Sequence, residues 1–173
     1  MNNLKKILCC LLFLPLTITG QESGYSEDVS KYLDSNGTML QYEYAYAELI
    51  KILSGHYPEN KGNAHKWKYL KENRSKELKK MKHLLIPIYE SNFTKSEINR
   101  MLTFYKTEAG TLLIKDRTKM TETHKSELKV FYISEIGKKI NAKQEILSQE
   151  VSKVSEVWSR NLYMSSLNLL KNE

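Results

Sequence analysis

The stretch at residues 87–110, PIYESNFTKSEINRMLTFYKTEAG, contains the clearest helix start in the sequence. Thr94 and Glu97 have the spacing of a capping box, in which each side chain binds the backbone amide of the other residue. Phe93 precedes the cap and Ile98 follows it, so a hydrophobic staple can also form. The stretch therefore predicts a helix that begins after Thr94, and the rest of the chain is interpreted around it.

The end of this stretch recurs 27 residues later, where FYKTEAG at residues 104–110 is followed by FYISEIG at residues 131–137. In each copy a hydroxyl residue can cap a helix, and the glycine three positions later indicates close approach by a backbone or an aromatic ring. The motif residues of the two copies are Phe104, Tyr105, Thr107, Gly110, Phe131, Tyr132, Ser134 and Gly137. We predict two consecutive helix–cap–helix repeats that pack within one bundle and form a structural joint.

The whole chain has only seven Gly and three Pro among 173 residues, which favours long helices over a sandwich or barrel. We expect a frayed segment at 21–26, a short helix at 27–33, and a second helix capped by Thr38. The apolar stripe from Ile140 to Leu162 predicts a long C-terminal helix that acts as the spine of the bundle. The predicted fold is all-α, a single helical bundle of about five to seven helices over residues 21–173.

The first 20 residues have the order of a secretory signal peptide, with a basic start, a 12-residue apolar run at 7–18 and a small residue, Gly20, before a polar segment. We expect cleavage near Gly20 and an exported product, either periplasmic or secreted. Cys9 and Cys10 would be removed, which excludes disulfides and thiol chemistry from the mature chain.

A strongly basic segment at residues 61–83 contains nine Lys or Arg against Glu72 and Glu77, within a chain of formal net charge +7. Leu78, Met81 and Leu85 give it an apolar stripe, so an amphipathic helix is predicted, with Pro87 kinking or restarting it. The candidate anion-binding residues are Lys66, Lys68, Lys71, Arg74, Lys76, Lys79, Lys80 and Lys82. Trp67 and Tyr69 among them could add interfacial contacts.

Few residues of the sequence have the spacing typical of a catalytic or metal-binding site. His83 and His124 lack ligand spacing, and only His56 and His65, with Glu59 between them, could form a metal site in the predicted loop at 54–63. No phosphate-binding glycine loop and no nucleophile elbow occur in the sequence. The sequence therefore predicts a protein that is not an enzyme and needs no cofactor.

The segment LLIPIYESNFTKSEINRMLTFYKTEAGTLL resembles the bacterial family called domain of unknown function 2059 (DUF 2059), over a core of about 78–150. The residues that match the family pattern are Pro87, Tyr89, Phe93, Thr94, Glu97, Phe104, Tyr105, Thr107 and Gly110. Glu108 stands where the family usually has proline, and Thr111 and Leu112 replace a polar residue and a lysine. The resemblance implies an all-helical, exported bacterial protein and no assigned activity.

Three functional hypotheses follow. The first is a protein-interaction or structural module of the cell envelope, which binds an unknown protein partner or a second copy of itself. The second is binding of anionic membrane surfaces or envelope polysaccharide through the basic helix at 61–83, with no nucleic acid expected because of export. The third is a weak metal-dependent activity at the 54–65 loop.

Overall fold

Helices account for nearly all of the chain that the structure describes. The computed structural model describes residues 19–171, with side chains from residue 24 onward; most of the predicted signal peptide lies outside this part. The helices are α1 (Thr19–Ser35), α2 (Thr38–His56), α3 (Ala64–Asn92), α4 (Lys95–Tyr105), α5 (Glu108–Lys115), α6 (Glu122–Ile133) and α7 (Glu135–Lys171). A short 3-10 turn, Arg117–Lys119, precedes α6. Residues 19–171 contain no strand, so the predicted all-α bundle is confirmed.

The two longest helices, α3 and α7, pack against each other in antiparallel orientation. Trp158 donates a hydrogen bond from Nε1 to the Glu77 carbonyl (3.2 Å), and Asn92 donates from Nδ2 to Glu150 (2.9 Å). The predicted long C-terminal helix is thus present, and its apolar stripe faces the bundle. None of the helices in residues 19–171 is long and apolar enough to span a membrane.

All seven helices contribute to one main apolar core. The buried residues of α2 are Met39, Tyr46 and Leu53, whose spacing of seven places them on one helical face. Tyr46 is 3% exposed, and its hydroxyl donates to the Leu70 carbonyl (2.6 Å). A smaller cluster joins the end of α2 to α3 and α7 and consists of Leu53, Trp67, Leu70 and Leu170.

The start of the described chain differs from our expectation. Residues 21–26, predicted to be frayed, lie within α1. Tyr25 donates a hydrogen bond from its hydroxyl to the Phe93 carbonyl, and Ser26 donates to Glu90 (2.6 Å). These contacts to distant residues hold the helix in place, and a local sequence pattern does not reveal them.

The start of α2 also differs from the prediction. Thr38 is the first helical residue rather than the cap, because Gly37 at φ 85° occupies the cap position. The Asn36 side chain then accepts a hydrogen bond from the Thr38 amide (3.0 Å) and satisfies one of the free donors of the first turn. The loop predicted from residue 54 begins later, because α2 continues to His56.

Pro87 does not restart the basic helix, so that alternative was wrong, while the kink stays a prediction. α3 runs without interruption from Ala64 to Asn92. Proline removes one backbone hydrogen bond, but Leu85, two residues earlier, is fully buried in the core, while Pro87 itself is exposed. Packing of the surrounding turns therefore outweighs the local cost of the missing bond.

Candidate functional site

The predicted cap at Thr94 is formed as a complete capping box. Thr94 Oγ1 accepts from the Glu97 amide (3.3 Å), and Glu97 Oε2 accepts from the Thr94 amide (2.8 Å). Lys139 on α7 donates to both carboxylate oxygens of Glu97, at 2.8 and 2.7 Å. These bonds, first that from Lys139 and then that from the Thr94 backbone, lower the pKa of Glu97. The carboxylate thus caps α4 and also joins it to α7.

The two copies of the repeated motif have the same local geometry. Thr107 Oγ1 accepts from the Gly110 amide (3.1 Å) and donates to the Phe104 carbonyl (2.8 Å). Ser134 makes the same two contacts within the second copy, at 3.2 and 2.6 Å. Each hydroxyl therefore connects the end of one helix to the start of the next, and the predicted helix–cap–helix repeats are present.

The two motif glycines are required by close backbone contact. A Cβ atom placed on Gly110 would lie 2.3 Å from the Phe104 carbonyl oxygen, and one on Gly137 would lie 2.3 Å from the Phe131 carbonyl oxygen. Such distances are far below van der Waals contact. The close approach expected from the sequence is therefore made by the last turn of the preceding helix.

The phenylalanines of the two copies stack on each other and form the joint between the repeats. The Phe104 and Phe131 rings are nearly parallel, with centroids 3.9 Å apart, and both side chains are buried. Tyr105 packs edge-on against Tyr32 of α1 (5.8 Å), and burial raises the pKa of Tyr105 to about 12. Tyr132, the equivalent residue in the second copy, is 51% exposed, so the copies differ in their surroundings.

A groove between α4 and α6 opens above the stacked phenylalanines, and we call it the inter-repeat groove. It encloses about 740 Å³, and Phe104, Phe131 and Ile136 provide its apolar lining together with Val130. The polar residues that line it are Ser96, Asn99, Arg100, Thr103, Thr107, Thr123, Ser126, Glu127 and Ser134. Mostly short side chains line the groove, which lets a helix from another molecule approach closely.

Two exposed apolar residues of α6, of which Val130 lines this groove, were not predicted as site residues. Val130 is 62% exposed and Ile133 is 60% exposed, one turn apart on α6. The equivalent positions of the first copy hold exposed polar residues, Thr103 and Lys106. The mismatch between Lys106 and Ile133 was visible in the alignment of the repeats, and it was the signal that could have identified this surface.

Tyr89, another residue of the predicted motif, lies among aromatic side chains. Tyr89 packs edge-on against Tyr32 (5.6 Å) and stacks with the buried Phe93 (6.3 Å). Tyr89, Tyr132 and Gly137 also line a second cavity, of about 410 Å³, between α2, α3, α6 and α7. The predicted joint thus borders two separate concave surfaces.

Most of the predicted anion-binding cations have an acidic partner. Ion pairs join Lys68 to Glu72, Lys71 to Glu59, Arg74 to Glu43, Lys80 to Glu77 and Lys82 to Asp34. Within the described residues, Lys76 and Lys79 make no such pair. Trp67, expected at the surface, is 1% exposed and belongs to the core, whereas Tyr69 is 53% exposed. Trp67 was therefore wrongly assigned to the basic surface, because its ring fills the small apolar cluster.

The predicted metal site has no support in the geometry. His56 and His65 are exposed, and Glu59 pairs with Lys71 at 2.7 Å. Across the residues described, no group of three or more potential metal ligands lies close enough to hold an ion. We do not carry this hypothesis further.

Comparison with known proteins agrees with the motif. No curated protein and no solved structure matches the chain. A family model described as "Uncharacterized protein conserved in bacteria (DUF2059)" matches residues 79–124. This range contains the capping box and the first copy of the repeated motif, but not the second copy. The predicted resemblance to DUF 2059 is therefore confirmed for residues 79–124, which are similar to this family.

Proposed function

We propose that this chain is an exported, non-catalytic protein-interaction module of the bacterial cell envelope, and that it docks a partner through the inter-repeat groove. The observation that carries the proposal is the exposed Val130 in the lining of a groove floored by stacked phenylalanines, with the similarly exposed Ile133 one turn further along α6. Apolar side chains grouped at a concave surface are typical of sites that bind another protein.

The internal repeat strengthens this argument. Thr103 and Lys106 keep the surface of the first copy polar, whereas Val130 and Ile133 occupy the same positions of the second. A bundle needs neither apolar residue for its core, because both side chains are mostly exposed. The occupant that fits is an amphipathic helix, whose apolar face would contact α6 and the groove floor.

Photo-crosslinking in the native host tests the docking surface. A photoreactive amino acid at Ser126, which lines the groove, should give one discrete crosslinked product with an envelope protein. The matched control carries the same group at Ser75, an exposed position on α3. Val130→Glu with Ile133→Glu should remove the Ser126 product, because two buried charges at the interface would lose hydration without a partner.

Two further results complete this test. Tyr44→Glu with Ile52→Glu, at comparably exposed positions on α2, should leave the product unchanged. The same product from purified protein alone would identify a second copy of the chain as the partner. Equal products from Ser126 and Ser75, or none from Ser126, would contradict the docking proposal.

A second candidate function is binding to an anionic membrane surface, favoured by a groove of about 750 Å³ between α3 and α7. Its apolar residues include the partly exposed Leu84 and Val157, and Lys76 and Lys79 lie at the same groove. No described acidic side chain pairs with these two lysines. Apolar residues flanked by unpaired lysines suit the interface of anionic lipids.

Co-sedimentation with vesicles that contain phosphatidylglycerol tests this candidate. Lys76→Glu with Lys79→Glu should weaken binding, because each lysine near an anionic surface contributes about 1 kcal/mol. Lys129→Glu with Lys138→Glu makes the same change of charge at exposed positions outside the basic segment and should bind more like the unaltered protein. Absence of binding at low salt would eliminate the candidate, since electrostatic attraction is strongest there.

A further inference from the structure

The cavity between α2, α3, α6 and α7 has an unusual chemical composition, and we call it the tyrosine cavity. It encloses about 410 Å³, toward the small end of the range of about 300–1,000 Å³ for ligand pockets. Three tyrosines line it, Tyr42, Tyr89 and Tyr132. The cavity therefore offers several aromatic surfaces to a small ligand.

Neighbouring side chains hold two of these rings in place before any ligand binds. Tyr42 packs edge-on against Trp158, with centroids 5.6 Å apart, and its hydroxyl bonds to Ser155 Oγ (2.6 Å). Tyr89 packs edge-on against Tyr32 at 5.6 Å. Because these rings are already ordered, binding would not have to immobilise them.

The polar residues of the tyrosine cavity are three carboxamides and two hydroxyl residues, Thr38 and Ser148. Gln41, Asn141 and Gln144 contribute to its lining. Their side chains make no hydrogen bond to any residue that the structure describes, so their donors and acceptors remain available. Each carboxamide can both donate and accept, which suits a ligand whose own groups do the same.

Charge is absent from this lining. None of the described residues around the cavity is Asp, Glu, Lys, Arg or His. A phosphate or carboxylate would lose hydration here without gaining an opposite charge. The cavity therefore disfavours ionic ligands, in contrast to the lysine-lined groove between α3 and α7.

We propose that the tyrosine cavity binds a neutral sugar, of the size of a mono- or disaccharide. The faces of a sugar ring present C–H groups with partial positive charge, which are attracted to the negative face of an aromatic ring. Its hydroxyls donate and accept hydrogen bonds, and so match carboxamides better than groups that only donate or only accept. This site is distinct from the inter-repeat groove and adds a ligand to the proposed interaction module.

NMR titration of the folded chain tests the proposal. The neutral probes are cellobiose, maltose and the disaccharide of N-acetylglucosamine, and the charged comparators are glucuronic acid and glucose 6-phosphate. At least one neutral probe should shift the side-chain amide signals of Asn141 and Gln144. The charged comparators should bind at least about tenfold more weakly, because their charge has no partner in the cavity.

Substitutions in the cavity lining test whether the sugar binds in the tyrosine cavity. Tyr132→Ala and Gln144→Ala should each weaken binding about tenfold, through loss of an aromatic face and of a hydrogen-bonding group. Both side chains are exposed enough for the fold to tolerate the change. Tyr44→Ala, with a ring that is 66% exposed elsewhere on α2, and Gln149→Ala should bind as the unaltered chain does.

Several results would overturn the proposal. One is that no neutral probe shifts the side-chain amide signals, and another is that charged and neutral sugars bind equally well. The proposal also fails if Tyr44→Ala loses as much sugar affinity as Tyr132→Ala, or if an uncharged tripeptide binds more tightly than the sugars. The groove variant Val130→Glu with Ile133→Glu should retain sugar binding. Failure of the docking proposal is thereby distinguishable from failure of this one.

Discussion

At Gly110 and Gly137, steric contact and helix propensity act in opposite directions. Glycine inside a helix costs about 1 kcal/mol relative to alanine. A Cβ atom at either position would lie 2.3 Å from a backbone oxygen of the preceding helix, where no side chain can move aside. The steric contact of an added Cβ atom outweighs the gain in helix propensity, so glycine is the residue that allows the two consecutive helices to pack this closely.

We predict that Gly110→Ala and Gly137→Ala each destabilise the protein by about 1–3 kcal/mol, the usual cost of overpacking. The added methyl group would push the two helices apart at the joint and weaken the Phe104–Phe131 stack. Urea unfolding, followed by helical circular dichroism, measures the change as a lower midpoint with an unchanged slope.

Gly55→Ala is the matched control for these variants. Gly55 also lies in a helix, but a Cβ atom there would meet nothing within 4 Å. We expect it to stabilise the protein by about 0.4–1 kcal/mol, through reduced freedom of the unfolded chain. A gain of stability in all three variants would mean that the contacts at Gly110 and Gly137 do not constrain the fold.

Among the elements, helix starts were predictable where the capping contact is local. Thr94, Thr107, Thr121 and Ser134 each accept a hydrogen bond from the amide three residues later. Sequence spacing alone specifies such contacts, so the repeats and the capping box could be derived without coordinates.

Other elements depend on contacts between distant residues, and there the sequence misled us. The N-terminal part of α1 is held by bonds from Tyr25 and Ser26 to residues 93 and 90. The passage of α3 through Pro87 depends on burial of its neighbouring turns. Local propensity is a weak guide wherever tertiary packing supplies more energy.

Neither the inter-repeat groove nor the tyrosine cavity could be predicted, and the reason is the same for both. The inter-repeat groove exists because the phenylalanine stack brings α4 and α6 together, and the tyrosine cavity exists because α2, α3, α6 and α7 converge. Periodicity showed which face of each helix is apolar, but not which faces meet. Tyr42, for example, both packs against the main core and lines the cavity, and its spacing in the sequence does not show the second role.

At the scale of the whole molecule, core contacts are present soon after the predicted cleavage point near Gly20. Tyr25 already bonds to the loop after α3, and Val29 and Leu33 are fully buried. Removal of residues 1–20 would therefore leave these core contacts intact. The same removal lowers the formal net charge from +7 to +5, because Lys5 and Lys6 are lost.

We predict that the chain, expressed in a bacterium with its own N-terminus, accumulates outside the cytoplasm and begins at Gln21. An apolar run of 12 residues after a short basic start is the pattern that export machinery recognises. Intact mass and N-terminal sequencing of the fractionated protein measure the outcome. Leu11→Arg with Leu12→Arg should keep the full-length chain in the cytoplasm, because charge interrupts the apolar run. The control, Asn2→Ser with Asn3→Ser, should be exported and cleaved like the unaltered chain. Full-length protein in the cytoplasm without any substitution would contradict export and, with it, an envelope partner for the inter-repeat groove.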